Sequence, residues 1–282
     1  MSTVLLTALA MTLLAANSLL TRAGVLDGTD PLAFAAIRVG AGALVLWALA
    51  ARRGIGLRGA RRWGAAIALV VYLLGFSLAY RSLDAGLGAL ILFATVQLGL
   101  FATGLARGEG AGPARLAGMG LALAGLVWLL APGAGPAAPV DVALMIVAGL
   151  GWAAYSFAGK YEPRPLAGTA GNFLLAAGLF ALAAPLWWGA PVTAAGAGLA
   201  AASGAVASGL GYALLFRVLP RMGLATAGLA QLSVPVIAML GGALLLAEIP
   251  SPRALAAALL VLAGIALATG AGAQRTMRSN GS

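Results

Sequence analysis

The sequence predicts an all-α integral membrane protein with ten transmembrane helices, arranged as two inverted five-helix repeats. Three observations support this prediction: an apolar composition, ten apolar runs that are long enough to cross a bilayer, and similar segments in the two halves. Of the 282 residues, 62% are apolar and 9% are charged, and the mean hydropathy is +1.02. A globular protein carries roughly 25% charged residues. This chain therefore cannot cover itself with a water-facing surface, and we expect lipid to surround it.

Each apolar run has the length that a helix needs to cross the hydrocarbon core, about 17–25 residues. The ninth run contains Pro235 near its middle, which predicts a helix with a weakened centre. Membranes tolerate such a break where the freed backbone groups face protein or a water-filled cavity. The ten predicted helices are Ser2–Leu20, Pro31–Ala50, Trp63–Tyr80, Ala85–Ala106, Ala114–Ala131, Val140–Gly159, Leu166–Trp188, Val192–Phe216, Gly223–Ala247 and Ser251–Gly272.

Basic residues concentrate in alternate loops between these runs, and this asymmetry predicts the orientation of the chain. Loops next to a cytoplasmic face carry an excess of lysine and arginine. With both termini in the cytoplasm, the outer loops hold only Arg22, Arg81 and Arg253. The net charge of +10 is thus interpreted as a signal for membrane orientation, and no nucleic-acid partner is expected. The cytoplasmic set is Arg52, Arg53, Arg58, Arg61, Arg62, Arg107, Arg115, Lys160, Arg164, Arg217, Arg221, Arg275 and Arg278.

The two halves of the chain contain matching segments. Gly75–Leu83 (GFSLAYRSL) matches Gly211–Leu219 (GYALLFRVL), and Glu109 matches Glu248. Because each copy has five helices, an odd number, the copies must have opposite orientations. Inverted repeats of this kind are typical of alternating-access transporters, whose substrate sites lie near the midplane between the halves. The predicted domains are a first repeat at 1–131, a second repeat at 140–272 and a cytoplasmic tail at 273–282.

In each repeat the fourth helix ends near a glutamate and is followed by a glycine-containing fifth helix, clearest in LSVPVIAMLGGALLLAE before RALAAALLVLAGIAL. With Arg38 in the second helix, this arrangement resembles the EamA type of the drug/metabolite transporter superfamily over essentially the whole chain. The first repeat departs from the family pattern because Thr95-Val96-Gln97 stands where a proline is usual. The resemblance implies a multi-pass exporter of the bacterial inner membrane. One branch of the family exports aromatic and other neutral amino acids.

Candidate substrate-binding residues are the polar and aromatic side chains at membrane depth. Tyr72, Phe76 and Tyr80 are spaced by four and share one face of the third helix. An apolar pocket with aromatic walls and a few polar groups suits a neutral amphiphile, although packing between helices is the alternative role for the same residues. Arg38 could bind a substrate carboxylate, reach the membrane surface, or bond carbonyls at a helix end. The full candidate set is Asn17, Arg38, Tyr72, Phe76, Tyr80, Gln97, Trp152, Tyr155, Tyr212 and Gln231.

Glycine and proline in the fourth and ninth helices are candidate bending points, because sharp kinks have local causes of this kind. Small residues of the eighth helix, among them Gly204 and Ser208, are interpreted as a close packing surface. Glu109 and Glu248 are expected to bond the starts of the helices that follow them. The candidate hinge residues are Gly86, Gly88, Gly99, Gly228, Pro235 and Gly241.

The predicted function is export of small metabolites, with neutral, hydrophobic or aromatic amino acids as the substrates. The chain has no histidine and no acidic residue in the middle of a predicted helix, so transport is expected to run without ion coupling. A multidrug efflux carrier is the alternative within transport; a membrane enzyme or an accessory subunit is the alternative outside it. No catalytic residue, cofactor or metal is expected. The expected partners are a small-molecule substrate and the lipid bilayer, and a monomer is compatible with the sequence.

Overall fold

The structure, a computed structural model, describes residues 2–108, 112–131, 138–160, 162–218 and 230–279. These residues form ten helices and no strand, which confirms the predicted all-α fold, and nine of the helices are long and apolar enough to cross a membrane. Short 3₁₀ turns occupy Ala51–Arg53 and Ala184–Trp187. The helices are α1 Thr3–Leu26, α2 Pro31–Ala50, α3 Ala60–Ala79, α4 Ala85–Ala106, α5 Pro113–Leu130, α6 Pro139–Lys160, α7 Pro165–Leu182, α8 Ala194–Val218, α9 Ser233–Leu245 and α10 Pro252–Ser279.

Proline begins five of these helices, α2, α5, α6, α7 and α10. Proline suits this position because the first amide groups of a helix have no intrahelical acceptor, and its fixed φ already matches the helix. At α2 the preceding Asp30 also accepts hydrogen bonds from the amides of Leu32 and Ala33, at 2.9 and 3.0 Å. Proline and capping residues therefore define where these helices begin after short loops.

Three helix boundaries differ from the prediction. Helix α1 continues six residues past the predicted end at Leu20, so Arg22 lies within a helix and not in a loop. Helix α7 ends at Leu182 because a turn containing Pro185 follows it. Pro235 was predicted near the middle of a helix but lies in the first turn of α9, after a turn at Leu232. The predicted part of that helix before residue 230 lies outside the described residues.

Three pairs of helices whose numbers differ by five pack directly on each other: α2 on α7, α4 on α9 and α5 on α10. Helix α3 packs on α6, and the equivalent pair five helices later, α8 with α1, is also in contact. Two five-helix copies would produce contacts of this kind, and the division of the chain into two repeats stays a prediction.

The α5–α10 contact depends on glycine. A Cβ atom at Gly118 would lie 2.6 Å from the backbone of Gly264 and Ala268, and one at Gly264 would lie 2.5 Å from the amide of Ala122. Because neither position has room for a side chain, the two helices meet backbone to backbone. Small residues allow this close approach in membranes, where van der Waals packing has to hold helices together. The outward faces of the bundle carry large apolar side chains, such as Trp47, Val127 and Leu244.

Candidate functional site

Arg38 lies about 10 Å from the start of α2, at 1.5 Å per residue, and its side chain is fully buried. Its Nε donates to Ser208 Oγ at 3.2 Å, and its Nη2 donates to Tyr72 OH at 2.9 Å. The guanidinium carbon lies 4.9 Å from the Phe76 ring centroid and 5.4 Å from that of Tyr72, within cation–π range. Arg38 therefore neither reaches the surface nor bonds helix-end carbonyls, which were the two alternatives.

The charge of Arg38 has no carboxylate partner among the described residues, whose ion pairs all involve other arginines. Its Nη1 has no hydrogen-bond partner there either. Leaving a buried charge unpaired is costly, on the order of several kcal/mol. Ionisable side chains at membrane depth are rare for this reason, and where they occur they mark substrate or ion pathways.

Aromatic rings from four helices form one continuous set beside this arginine, which we call the aromatic cluster. Tyr72 lies at its centre, with ring centroids 5.2 Å from Phe76 and 4.9 Å from Trp152. Trp152 in turn contacts Tyr212 at 4.9 Å and Tyr155 at 5.5 Å. Both halves of the chain contribute. The members of the cluster are Tyr72, Phe76 and Tyr80 of α3, Trp152 and Tyr155 of α6, Phe173 of α7 and Tyr212 of α8.

Helix α8 changes from α to π geometry over Ser203–Leu210, next to Arg38. Ser203 and Ser208 both donate to Asn17 Oδ1, at 2.9 and 3.0 Å, and Ser208 also accepts from Arg38. A Cβ atom at Gly204 would lie 2.0 Å from the Arg38 carbonyl oxygen, so the π segment passes directly against α2. Local π geometry frequently marks functional positions, and here it brings two serines to one buried amide.

Several buried polar atoms in this region lack a hydrogen-bond partner among the described residues. Besides Arg38 Nη1, they include Asn17 Nδ2 and the hydroxyls of Tyr155 and Tyr212. Buried polar groups in folded proteins are nearly always bonded. A group of unbonded donors beside an unpaired cation is typical of a site that a polar ligand completes.

The structure thus brings eight of the ten candidate residues into one region: the six predicted aromatic side chains, Arg38 and Asn17. The other two, Gln97 and Gln231, are half-buried, and no hydrogen bond or ring contact joins them to the aromatic cluster in the described part of the chain. Phe173, Ser203 and Ser208 join the region without having been predicted as binding residues. Gly204 and Ser208 were both predicted to form a packing surface. The close contact of Gly204 with α2 confirms this for Gly204, whereas Ser208 bonds Arg38.

The candidate hinge residues lie mainly at close helix contacts. A Cβ atom at Gly86 would lie 2.6 Å from Met239 Cα, one at Gly88 2.6 Å from the Tyr80 ring and one at Gly241 2.5 Å from Leu19. Gly99 is less crowded, with Ala153 at 3.3 Å. Helix α4 runs without interruption through its three candidate glycines, whereas Pro235 follows the turn at Leu232. Gly228 and Glu109 lie outside the described residues, and bending at the other positions stays a prediction.

One end of the bundle, which we call the Arg22 end, is held by an ion pair between the halves. Arg22 Nε donates to Glu248 Oε1 at 2.7 Å, and the other oxygen of Glu248 accepts from the Ala85 amide at 2.7 Å. Arg22 also donates to the carbonyl oxygen of Tyr80 at 2.9 Å and lies 3.7 Å from Asp84. Glu248 was predicted to bond the start of the helix that follows it in sequence. It bonds instead the start of α4, in the other half.

The opposite end, which we call the Arg62 end, has its own ion pair. Arg62 near the start of α3 donates to Glu162 Oε2 at 2.9 Å, to Asn172 Oδ1 at 3.1 Å and to the Gly168 carbonyl at 2.8 Å. Since Arg62 and Tyr80 are 18 residues apart on α3, the two ends are separated by about 27 Å. The aromatic cluster lies between them.

Together, the membrane-spanning fold and its buried cationic, aromatic centre define a multi-pass membrane protein of the kind that moves small molecules across membranes. Comparison with known proteins gives the same class. Residues 141–270 match the model of the EamA-like transporter family. An "Uncharacterized protein PA1977" of Pseudomonas aeruginosa is 46% identical over 268 residues, covering 94% of this chain and 93% of that protein. The chain belongs to the EamA-like transporter family.

A crystal structure of another protein has a similar fold, with a TM-score of 0.64 and 24% sequence identity. The matched region covers 92% of this chain and 98% of that chain. At this level of identity the similarity shows the fold, so the helical arrangement extends beyond the matched family domain to nearly the whole length.

Proposed function

We propose that this protein exports small apolar metabolites that carry a carboxylate, including neutral and aromatic amino acids, by alternating access across a bacterial inner membrane. The observation that supports this substrate class is Arg38, a fully buried guanidinium whose Nη1 lacks a bond, held against aromatic rings. Guanidinium groups match the geometry of carboxylates and bind them through charge-assisted hydrogen bonds. The rings of the aromatic cluster suit an apolar or aromatic substrate side chain.

An amino acid also carries an ammonium group, which requires its own partner. Ring faces of tyrosine and tryptophan attract cations within about 6 Å, so the aromatic cluster offers such a partner without a fixed negative charge. For the alternative, a multidrug carrier of organic cations, the buried positive charge of Arg38 is unfavourable. We therefore favour a carboxylate-bearing substrate.

The two ion pairs support the mechanism. In alternating access, a central site opens to one side at a time while the other side is closed. Arg22–Glu248 and Arg62–Glu162 each join the two halves, on opposite sides of the aromatic cluster, so each can serve as a lock for one side. From the distribution of basic loops we assign the Arg62 end to the cytoplasm and place both termini there. The six acidic residues that the structure describes all lie in loops or near helix ends, so we propose transport down the substrate's own gradient.

The test is a transport panel in liposomes that separates the two polar groups of an amino acid. L-phenylalanine carries both groups, 3-phenylpropionate keeps only the carboxylate, and L-phenylalaninamide and phenethylamine lack it. We expect transport of the first two compounds. Arg38→Met should lower their transport about 10- to 100-fold, since a hydrogen bond to a charged group contributes about 1.5–3 kcal/mol.

Arg38→Lys tests whether charge alone is sufficient, and we expect it to restore only part of the transport because lysine lacks the fork geometry. Arg52→Met, an exposed arginine at the Arg62 end, is the matched control and should transport normally. If the amide and the amine were carried better than the two carboxylates, or if Arg38→Met transported normally, the proposed substrate class would be wrong.

A further inference from the structure

A cavity of about 290 Å³ opens at the Arg62 end, between the start of α3, the end of α6 and the start of α7. This volume is close to the lower limit of small-molecule pockets, about 300 Å³, so only a small ligand such as a small organic acid would fit. Among the described residues, four arginines and a single carboxylate line it: Arg58, Arg61, Arg62, Arg164 and Glu162. The lining is therefore strongly positive, and an anion is the ligand that it favours.

The four arginines differ in how far they are already bonded. Arg61 donates to the Ala158 carbonyl at 3.1 Å and Arg164 to the Arg53 carbonyl at 3.3 Å, while Arg62 bonds Glu162 and α7. The bonds of Arg61 and Arg164 are to neutral carbonyls, so their charge is not cancelled. Arg58 has no hydrogen bond or ion pair among the described residues and is free to bind a ligand.

Tyr155 connects this cavity with the aromatic cluster. It lines the cavity, its side chain is buried with 1% exposed, and its hydroxyl has no hydrogen-bond partner in the described part of the chain. Its ring lies 5.5 Å from that of Trp152. A buried donor is thus available at the wall of the cavity, and ring contacts through Trp152 and Tyr72 link it to Arg38.

We propose that this cavity is an oxyanion-binding site, in which the carboxylate of the transported molecule binds before it reaches Arg38. The oxyanion chemistry follows from the cavity itself; the identity of the ligand as the transported molecule rests on the proposed function. Arg58 supplies the uncommitted charge, and the hydroxyl of Tyr155 donates a hydrogen bond to the same carboxylate. The site recruits an apolar acid at one end of the bundle and passes it along the aromatic rings.

The absence of cysteine from the chain allows a direct test. Ala158→Cys places a single thiol on α6 in the lining of the cavity, and its alkylation by a water-soluble maleimide is timed in phosphatidylcholine nanodiscs. We expect 3-phenylpropionate and inorganic phosphate to slow the reaction, and phenethylamine to leave it unchanged. Ala51→Cys, exposed at the same end but outside the lining, is the control thiol and should not be protected.

Adding Arg58→Gln to Ala158→Cys should weaken the protection by 3-phenylpropionate about three- to fivefold, as expected for one partly screened charge. Arg52→Gln should leave it unchanged. The protection should persist in Arg38→Met, because the cavity binds the carboxylate without Arg38. A wrong substrate class would therefore appear in the transport panel, and a wrong cavity site would appear in the thiol protection. Equal protection with Arg58→Gln and Arg52→Gln would overturn the proposal. A second result would also overturn the proposal. If phosphatidylglycerol in the nanodisc protected the thiol, and added 3-phenylpropionate did not change that protection, a lipid headgroup would occupy the site.

Discussion

The Arg22 end and the Arg62 end are each held by an arginine–glutamate pair between the halves, but the surroundings of the two pairs differ. At the Arg22 end the two partners are only 12% and 8% exposed, and Glu248 also bonds the backbone at the start of α4. Adjacent loops and helix ends are bonded as well, Arg81 to Asp141 at 2.9 Å and Thr193 to Asp27. At the Arg62 end the pair borders the cavity and its excess of arginine.

This difference shows that an ion pair does not by itself close an end of the bundle. At the Arg22 end one carboxylate satisfies both an arginine of α1 and the first amide of α4, so three elements are fixed together. At the Arg62 end Glu162 satisfies Arg62 while other guanidinium groups nearby remain available. The first arrangement is suited to sealing, and the second to binding an anion.

The largest effect should come from removing the carboxylate of the Arg22 end. Glu248→Ala leaves Arg22 without its closest partner and the Ala85 amide without its acceptor. Breaking a largely buried pair from one side costs about 3–5 kcal/mol, and partial exposure places our expectation near the lower limit, about 3 kcal/mol. The free energy of unfolding in mixed micelles measures this loss.

Asp84→Asn is the matched control, since Asp84 lies 3.7 Å from the same arginine but its side chain is 49% exposed. We expect a loss of less than about 1 kcal/mol, as for surface pairs. The loss of stability in Glu248→Gln should lie between the losses in Glu248→Ala and Asp84→Asn, because the glutamine amide oxygen can still accept a hydrogen bond from the Ala85 amide. Equal losses for Glu248→Ala and Asp84→Asn would show that Glu248 does not lock this end.

The second prediction compares one glycine from each end. At Gly86 a new Cβ atom would lie 2.6 Å from Met239 Cα, so α4 and α9 would have to separate, whereas at Gly168 it would lie 2.5 Å from Glu162 Cδ, the end of a side chain that can rotate. Overpacking a rigid contact costs about 1–3 kcal/mol. We expect Gly86→Ala to lose stability in this range and Gly168→Ala to lose less than about 1 kcal/mol.

The same unfolding measurement tests both glycine variants. Alanine favours a helix over glycine by about 1 kcal/mol, and this gain applies to both variants, so the difference between them reports the packing. A Gly168→Ala variant as unstable as Gly86→Ala would mean that the Arg62 end is as rigid as the Arg22 end. That result would remove the contrast between the two ends.

The sequence predicted most of the helices and most of the central region, and the reasons for its failures are physical. Hydropathy over a full span is a strong signal, and the spacing of Tyr72, Phe76 and Tyr80 places them on one helix face wherever the helix packs. Arg38 was visible because a charge at membrane depth is rare. Its partner Ser208 was not, since the π segment that presents it has the same Ala/Gly/Ser composition as an ordinary packing surface.

The ion pairs at the two ends could not be predicted from residue spacing. Arg22 and Glu248 are 226 residues apart, and no local rule pairs them. The predicted first helix ended at Leu20, which placed Arg22 in a loop. In the structure the helix continues to Leu26 because the Arg22 side chain bonds Glu248 and the Tyr80 carbonyl, so its charge does not have to reach the surface. Contacts of this long range appear only once the helices are packed.

The smallest effect on stability, and the sharpest test of the contrast, comes from Glu162→Gln. Arg62 would keep its bonds to Asn172 and the Gly168 carbonyl, so we expect a loss of no more than about 1 kcal/mol. The cavity would lose its carboxylate and keep its four guanidinium groups. Protection of the Ala158→Cys thiol by 3-phenylpropionate should then strengthen about two- to fivefold at low salt, and less at 0.5 M salt, where charges are screened. Glu248→Gln should leave the protection unchanged, because the Arg22 end lies about 27 Å from the Arg62 end, well beyond the screening length of about 10 Å at 0.1 M. If Glu162→Gln weakened the protection, Glu162 would hold Arg62 in a binding position, and the view that it competes with the ligand for that arginine would be wrong.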